Sequence, residues 1–225
     1  MSIEKSPSQK MKDLLNLYYE FINNDDNIDN MKTPEFEIRF GSLESIPKYN
    51  FENTISKLKS LGFTSNDNYG YDMLRISLNL DGDLDNIRLE IEDKSMIQKV
   101  CNEEFKTINE IFSLPKLPSN VSIIKKEFKW NNRFDNEDFK FRVSYQSENR
   151  INKELLTDTI QNYSKINKYY RCLNRVEYKH PDLPFICHFS IVKSSDNKNA
   201  YKLPTSGLLQ SYFKYEIEIE LDNNK

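Results

Sequence analysis

Tyr215-Glu216-Ile217-Glu218-Ile219-Glu220-Leu221 alternates acid and hydrocarbon over seven residues. Successive side chains of a β-strand point to opposite faces, so Glu216, Glu218 and Glu220 share one face while Ile217, Ile219 and Leu221 share the other. Carboxylates about 7 Å apart along one face repel, and a sheet built for structure alone breaks such a row with Thr, Lys or Ser. A cation is therefore expected beside the row. Near the other end of the chain, Glu35-Phe36-Glu37-Ile38-Arg39-Phe40-Gly41 has a matching pattern.

Other strand-like segments share the design but change its sign. Between Asp138 and Gln146 the polar face carries Lys140, Arg142, Ser144 and Gln146, and Glu148 continues it; Ile87 to Glu92 carries Arg88, Glu90 and Glu92. Arg171, Leu173, Arg175 and Glu177 share a face, and Lys125, Glu127 and Lys129 alternate likewise. For one strand alone, the ordinary reading is an antiparallel strand with one wet face. Two acidic strands near the ends of the sequence and four basic ones between them fit better a closed antiparallel barrel with a charged lumen. Carboxylates would hold a divalent metal on one wall, and Arg and Lys would hold phosphates on the others. Glu oxygens without His or Cys select a hard ion, Mg²⁺ or Mn²⁺, over zinc. Those residue types suit metal-assisted phosphoanhydride hydrolysis, with a further Glu to orient or deprotonate the attacking water.

Three helices are expected around these strands. Ser8 can cap one in which Met11, Leu14, Leu15, Tyr18, Phe21 and Ile22 recur at helical spacing, ending in the polar run Asn23 to Asn27. A second runs from Phe51 to Leu61, with Asn50 as cap and Gly62 as stop, and a weaker third spans about Lys153 to Lys165. Strands are expected over Asp72–Leu80, Ile87–Glu92, Val121–Trp130, Asp138–Gln146, Tyr169–Tyr178, Phe185–Lys193 and Tyr212–Leu221, with a hairpin turn at Asp81-Gly82-Asp83 and a loop at Pro115 to Pro118. Phe36, Phe40, Phe139, Phe141 and Trp130 read as barrel exterior and helix-packing core. The class is α+β, mainly antiparallel β, and 225 residues suit a single domain over 1–225. The chain stops at Lys225 just after a strand, which suggests a piece of a longer polypeptide.

Charge gives no global steering, because 32 Lys+Arg nearly balance 35 Asp+Glu. Cys101, Cys172 and Cys187 are odd in number and lack metal-ligand spacing, which suits a reducing compartment. No apolar leader and no membrane-length apolar run occurs, so the expectation is a cytoplasmic or nuclear protein that is neither secreted nor membrane-bound. No Arg follows any cysteine by six residues, and no glycine-rich phosphate loop occurs. Asn79-Leu80-Asp81-Gly82 lacks the lysine of a guanylyltransferase motif.

Glu35-x-Glu37-x-Arg39-Phe-Gly and Glu216-x-Glu218-x-Glu220 resemble the triphosphate tunnel metalloenzymes, and more closely the RNA 5′-triphosphatase domains of mRNA capping enzymes of large DNA viruses. Arg142-Val143-Ser144-Tyr145-Gln146-Ser147-Glu148, Arg171-x-x-x-Arg175 and Ser190-Ile191-Val192-Lys193 support the resemblance, which covers Glu35 to Leu221. It implies an eight-stranded tunnel flanked by helices that removes the γ-phosphate from 5′-triphosphate RNA, the first step of capping, using Mg²⁺ or Mn²⁺. It also implies NTP or tripolyphosphate as side substrates, guanylyltransferase and methyltransferase domains farther along the polypeptide, and a cytoplasmic viral factory or virion as location. Glu35, Glu37 and Glu220 would be metal ligands, with Glu218 and Glu216 assisting. Arg39, Arg88, Lys125 or Lys126, Arg142, Arg171, Arg175 and Lys193 would serve the triphosphate, and Glu148 would support the water or a basic neighbour.

Two positions depart from the family pattern. Leu173 stands where the middle basic residue of Arg-x-Lys/Arg-x-Arg is usual, and His188 stands where an acid is usual. His188 is open to a structural or phosphate-facing role and to a direct acid–base role. Two rival readings also stay open: a tunnel enzyme acting on tripolyphosphate, nucleoside or thiamine triphosphate, and a non-catalytic β-barrel interaction module. Arg39-Phe40-Gly41 in place of the Lys usual in the former favours RNA. Buried unpaired carboxylates weigh against the latter.

Overall fold

The computed structural model describes residues 6–23, 32–66, 70–80, 87–127 and 132–222. In chain order the elements are α1 (Pro7–Ile22), β1 (Lys32–Phe40), α2 (Lys48–Ser60), β2 (Tyr71–Asn79), β3 (Ile87–Ile91), α3 (Lys94–Ser113) and β4 (Val121–Glu127). β5 (Arg133–Asn136), β6 (Phe141–Arg150), α4 (Thr157–Gln161), β7 (Asn167–Lys179), β8 (Phe185–Ser194) and β9 (Lys214–Leu221) follow. Strands pair in the order β1-β9-β8-β7-β2-β3-β4-β6, and β6 pairs back to β1 to close an eight-stranded antiparallel barrel. β5 lies outside the closed ring and pairs with the early half of β6, past the reach of β4.

Residues directly opposite in an antiparallel pair face the same side. Glu37 meets Glu220, Arg39 meets Glu218, and Glu218 meets His188. The same face continues through Ser190–Arg175, Arg171–Arg75, Arg75–Glu90, Lys126–Glu148 and Gln146–Glu35. The charged faces of all eight strands therefore line one lumen, and the hydrocarbon faces point outward.

Helices cover that outer surface. Leu14 and Tyr18 of α1 pack on Phe36, Val143 and Tyr145 of β1 and β6. Phe51 of α2 lies 5.2 Å from the Phe189 ring and 5.0 Å from Tyr215, over β8 and β9. The largest core joins Ile97, Val100, Ile108 and Ile111 of α3 to Leu74, Ile76, Leu89, Ile91 and Ile123 of β2, β3 and β4. One apolar cluster faces inward instead: Met73, Leu173 and Val192 occupy successive paired positions of β2, β7 and β8 and pack together in the lumen.

Several expectations shift. The cap of α1 is Ser6, whose Oγ accepts from Gln9 N at 3.3 Å, so Ser8 lies inside the helix. α2 starts at Lys48 after Pro47, which encloses Asn50, and Gly62 terminates it with φ +94° as expected. β6 starts three residues later than Asp138, because Asn136 Oδ1 takes Phe139 N at 2.9 Å and Lys140 has φ 54°, a turn rather than strand; Phe139 is left 75% exposed, outside any core. Residues 153–165 are broken into 3₁₀ turns around the short α4. The expected 81–83 turn, Trp130 and the end of the 121–130 strand lie outside the described residues.

α3 was not expected. It starts from an Asp93 cap accepting from Met96 N at 2.7 Å, and it kinks at Glu103 (φ −137°, ψ 58°). The kink accompanies the turn of Glu104 into the core, where it accepts from Tyr163 Oη (2.8 Å), Tyr170 Oη (2.7 Å) and Leu203 N (2.8 Å). Among the described residues no helix is long and apolar enough to cross a membrane.

Candidate active site in the barrel lumen

Alternation on β1 and pairing with β9 bring Glu35, Glu37 and Glu220 together, with one oxygen from each within 4.8 Å of the others. Each carboxylate is held from behind. Ser144 Oγ donates to Glu37 Oε1 and Arg39 Nη2 to Oε2, both at 2.8 Å. Glu35 accepts from Gln146 Nε2 and lies 3.2 Å from Lys126 Nζ, and Glu220 lies 3.0 Å from His188 Nε2. Desolvation pushes Glu35 up to about 8; Lys126 opposes the rise, and Glu37, Glu148 and Glu220 add to it. Three converging carboxylate oxygens without a sulfur or nitrogen ligand in the cluster fit a hard divalent cation.

Glu218 and Glu216 do something different. Glu218, 1% exposed, forms an ion pair with Arg39 Nε at 3.0 Å through one oxygen and accepts a hydrogen bond from Arg175 Nη2 on the other. Burial would raise its pKa, but Arg175 and Arg39 hold it well below the usual carboxylate range. Glu216 takes Arg171 Nη2 at 2.6 Å. The acidic row is thus divided, with Glu220 in the three-carboxylate cluster and the other two anchoring arginines.

Adjoining the cluster at Glu37 lies a cavity of about 270 Å³ bordered by Arg39, Arg75, Arg88, Lys126, Arg133, Arg142 and Arg171, with Ser77, Ser144 and Gln146. Arg88 Nε lies 2.7 Å from Glu90 and its Nη2 3.0 Å from Glu148, which also pairs with Lys126. Burial raises Glu148, yet Lys126 and Arg88 bring it down to about 2. Arg142 is clamped by both oxygens of Asp135 at 2.8 and 3.1 Å. Arg75 is lowered to about 10 by burial and then by Arg88 and Arg175. Arg75 crowded by Arg88 and Arg175 is the converse of the converging carboxylates, and the cavity accommodates an anion reaching from its cations to the cluster.

Glu148, Arg142, Arg171, Arg39, Arg88 and Lys126 therefore all reach the lumen wall around this cavity. Lys125 does not: it pairs with Ile87 and Asn149 on the outer face, because strand parity puts Ser122, Ile124 and Lys126 inward. Lys193 also points outward, with Nζ donating to Leu209 O at 2.9 Å and lying 4.8 Å over the Phe213 ring; its neighbour Val192 takes the inward place. Arg175 is in the lumen but 5% exposed and committed to Ser190 Oγ (3.0 Å) and Glu218, outside the cavity lining. Leu173 sits beside it with Met73 and Val192, so an apolar contact replaces the middle cation of that strand. His188, 5% exposed, stands between Glu220 and Glu177 (3.6 Å), which makes it a support of Glu220.

Sequence reasoning missed Arg75, Arg133 and Asp135. Arg75 alternates with Met73 and Ser77 on β2 and gives only a lone-charge signal; Arg133 and Asp135 belong to a strand too short to expect.

The sequence matches no protein-family model and no curated protein. Among solved structures, the chain is similar to the RNA triphosphatase domain of the trifunctional mimivirus mRNA capping enzyme, with TM-score 0.66 and 18% identity over 100% of this chain and 92% of that one. A monoclinic structure of the mimivirus capping enzyme triphosphatase gives 0.65 and 17%, over 98% and 91%. The S. pombe Pct1 RNA triphosphatase gives 0.50 and 12%, over 99% and 81%. The closed barrel with its charged lumen has, end to end, the fold of these RNA triphosphatases.

Proposed function

We propose that the chain hydrolyses the γ-phosphate from the 5′-triphosphate end of RNA in a divalent-metal-dependent reaction, leaving a 5′-diphosphate end and orthophosphate. The observation that carries this reading is the convergence of Glu35, Glu37 and Glu220 to within 4.8 Å beside the cationic cavity. Those three would hold Mg²⁺ or Mn²⁺, which when bound polarises a phosphoryl oxygen and offsets charge built up during displacement. Arg88, Lys126, Arg171 and Arg142 bind the remaining phosphate oxygens and stabilise the charge that shifts toward the bridging oxygen as its bond to the γ-phosphorus breaks. A water oxygen forms the new bond to that phosphorus, and the proton the water gives up passes to solvent. Glu148 keeps Arg88 and Lys126 in place, and His188 keeps Glu220 oriented toward the cluster. Glu218 fixes Arg39 against Glu37.

The test uses γ-labelled triphosphate RNA, ATP and tripolyphosphate with Mg²⁺ or Mn²⁺. Wild type should release orthophosphate from RNA and lose that activity with chelator. Glu37→Ala and Glu218→Ala should each lose at least about 10²-fold. RNA that yields no phosphate, or full activity in both variants, overturns the reading; a strong preference for tripolyphosphate assigns the site to a general polyphosphate hydrolase instead.

A further inference from the structure

The cationic cavity continues past Ser77, Arg88 and Lys126 into an open hollow of about 380 Å³, whose far side is made by Asn79, Tyr169, Lys198 and Asn199. Ser77, Arg88 and Lys126 border both spaces. Tyr169 pairs with Ser77, and Ser77 pairs with Arg88, so an aromatic ring, a hydroxyl and a guanidinium form one row on the lumen face of β7, β2 and β3. Beside Tyr169, Lys168 N donates to Ala200 O at 2.7 Å and Ala200 N returns the bond at 3.1 Å, which lays residues 198–200 along the start of β7. Asn79 Nδ2 donates to Asn199 Oδ1 at 3.3 Å, and both amides are exposed. Beyond Arg75 and Arg171 the inward positions of β2, β7 and β8 are the apolar Met73, Leu173 and Val192, so a phosphate chain lying on the basic wall meets polar space on the side of this hollow.

The two spaces differ in chemistry. Arginine and lysine crowd the inner one, whereas the outer one, beyond the shared Arg88 and Lys126, adds a half-buried aromatic face, two amide side chains and the Lys198 ammonium. A bare polyphosphate can take the N–H groups of an amide but has no use for an aromatic face or for an amide carbonyl. A nucleoside has use for both, since every base presents a π-face and its edge and ribose carry donors and acceptors.

We propose that the hollow is a nucleoside subsite that takes the first nucleotide of a triphosphate-ended strand, its base against Tyr169, its polar groups toward Asn79 and Asn199, and its phosphates passing Arg88 and Lys126 into the lumen. The proposal rests on the reading of the lumen as a triphosphate site. Stacking on one ring is tolerant of base identity, so the subsite separates nucleotides from bare polyphosphate without selecting sequence.

Binding by the full chain tests it without requiring turnover. Calorimetry with Mg²⁺ compares a β,γ-methylene analogue of ATP, the same analogue of UTP, and a methylene-bridged tripolyphosphate. Wild type should bind the ATP analogue about tenfold more tightly than the tripolyphosphate analogue, the order expected for one stacked base, and the UTP analogue within about fivefold of ATP. Tyr169→Ala should abolish the advantage while the tripolyphosphate affinity stays put, and Tyr169→Phe, which keeps the ring, should retain it. Equal wild-type affinities for nucleotide and tripolyphosphate, or a Tyr169→Ala loss shared by all three ligands, overturns the subsite and leaves the lumen reading intact. Failure of folded wild type to bind any of the three overturns both.

Discussion

Lys125 and Lys126 are one position apart and on opposite sides of β4, so their substitutions should separate. Lys126→Ala removes a cation that pairs with Glu35 and Glu148 and borders the cavity. It should lower kcat/KM for triphosphate RNA about 10²-fold, whereas Lys125→Ala and Lys193→Ala should stay within about twofold, measured as initial rates of phosphate release. Two carboxylates on the same wall should respond to pH in opposite senses. Glu148 is brought down from 4.5 to about 2 in the fold, so it contributes stability above about pH 4.5 that is lost as pH falls toward 2. Glu35 is raised from 4.5 to about 8, so without metal the folded chain holds an extra proton between those values and stability declines as pH rises through that window. Urea midpoints of chelated protein should show wild type losing ground to Glu35→Gln from pH 5 to 8, and Glu148→Gln flattening the fall below pH 4.5. The side of a lysine was hard to read here for a local reason: Ile123 and Ile124 are both buried, one outward and one inward, so the alternation that marks other strands is blurred just before Lys125.

At the scale of elements, β1 and β9 were legible because charge and hydrocarbon alternate from Glu35 to Phe40 and from Glu216 to Leu221. Gly41, which ends the β1 motif, is explained by approach: it has φ +89°, and a Cβ there would stand 2.3 Å from Tyr215 O on β9. Gly41→Ala should cost about 1–3 kcal/mol from backbone strain alone, with the clash adding to it, read as a lowered denaturation midpoint. α3 escaped notice because Glu104 interrupts its apolar face and Glu103 breaks its geometry. That buried carboxylate joins α3 to β7 and to the 203 backbone. Glu104→Ala leaves two tyrosine hydroxyls and an amide without their acceptor, and should destabilise the fold by about 3–5 kcal/mol. β5 is only four residues long, yet it brings Arg133 to the cavity and clamps Arg142 through Asp135.

The whole molecule inverts the usual arrangement of a small barrel: hydrocarbon lies outside under the helices, and charge fills the lumen. Most lumen charges are paired, but Glu35, Glu37 and Glu220 still crowd one another, as do Arg75, Arg88 and Arg175, so a cation and an anion should stabilise the fold. Saturating Mn²⁺, at about 100 times Kd, should raise stability by about 2.7 kcal/mol, and Glu37→Gln should abolish most of that gain. The charged wall could be anticipated from strand alternation alone. How the charges divide could not, because Glu216, Glu218 and Glu220 are identical in sequence pattern and differ only in which cross-barrel partner each meets: Arg171, Arg39 with Arg175, or the Glu35–Glu37 pair.

Product analysis on a single RNA carrying labels at both the α- and γ-phosphates tests the account most directly. With Mg²⁺ or Mn²⁺, wild type should convert the γ-label to orthophosphate and leave the α-label on an RNA with a 5′-diphosphate end. Release of pyrophosphate, a 5′-monophosphate product, or equal turnover in the presence of chelator would contradict it.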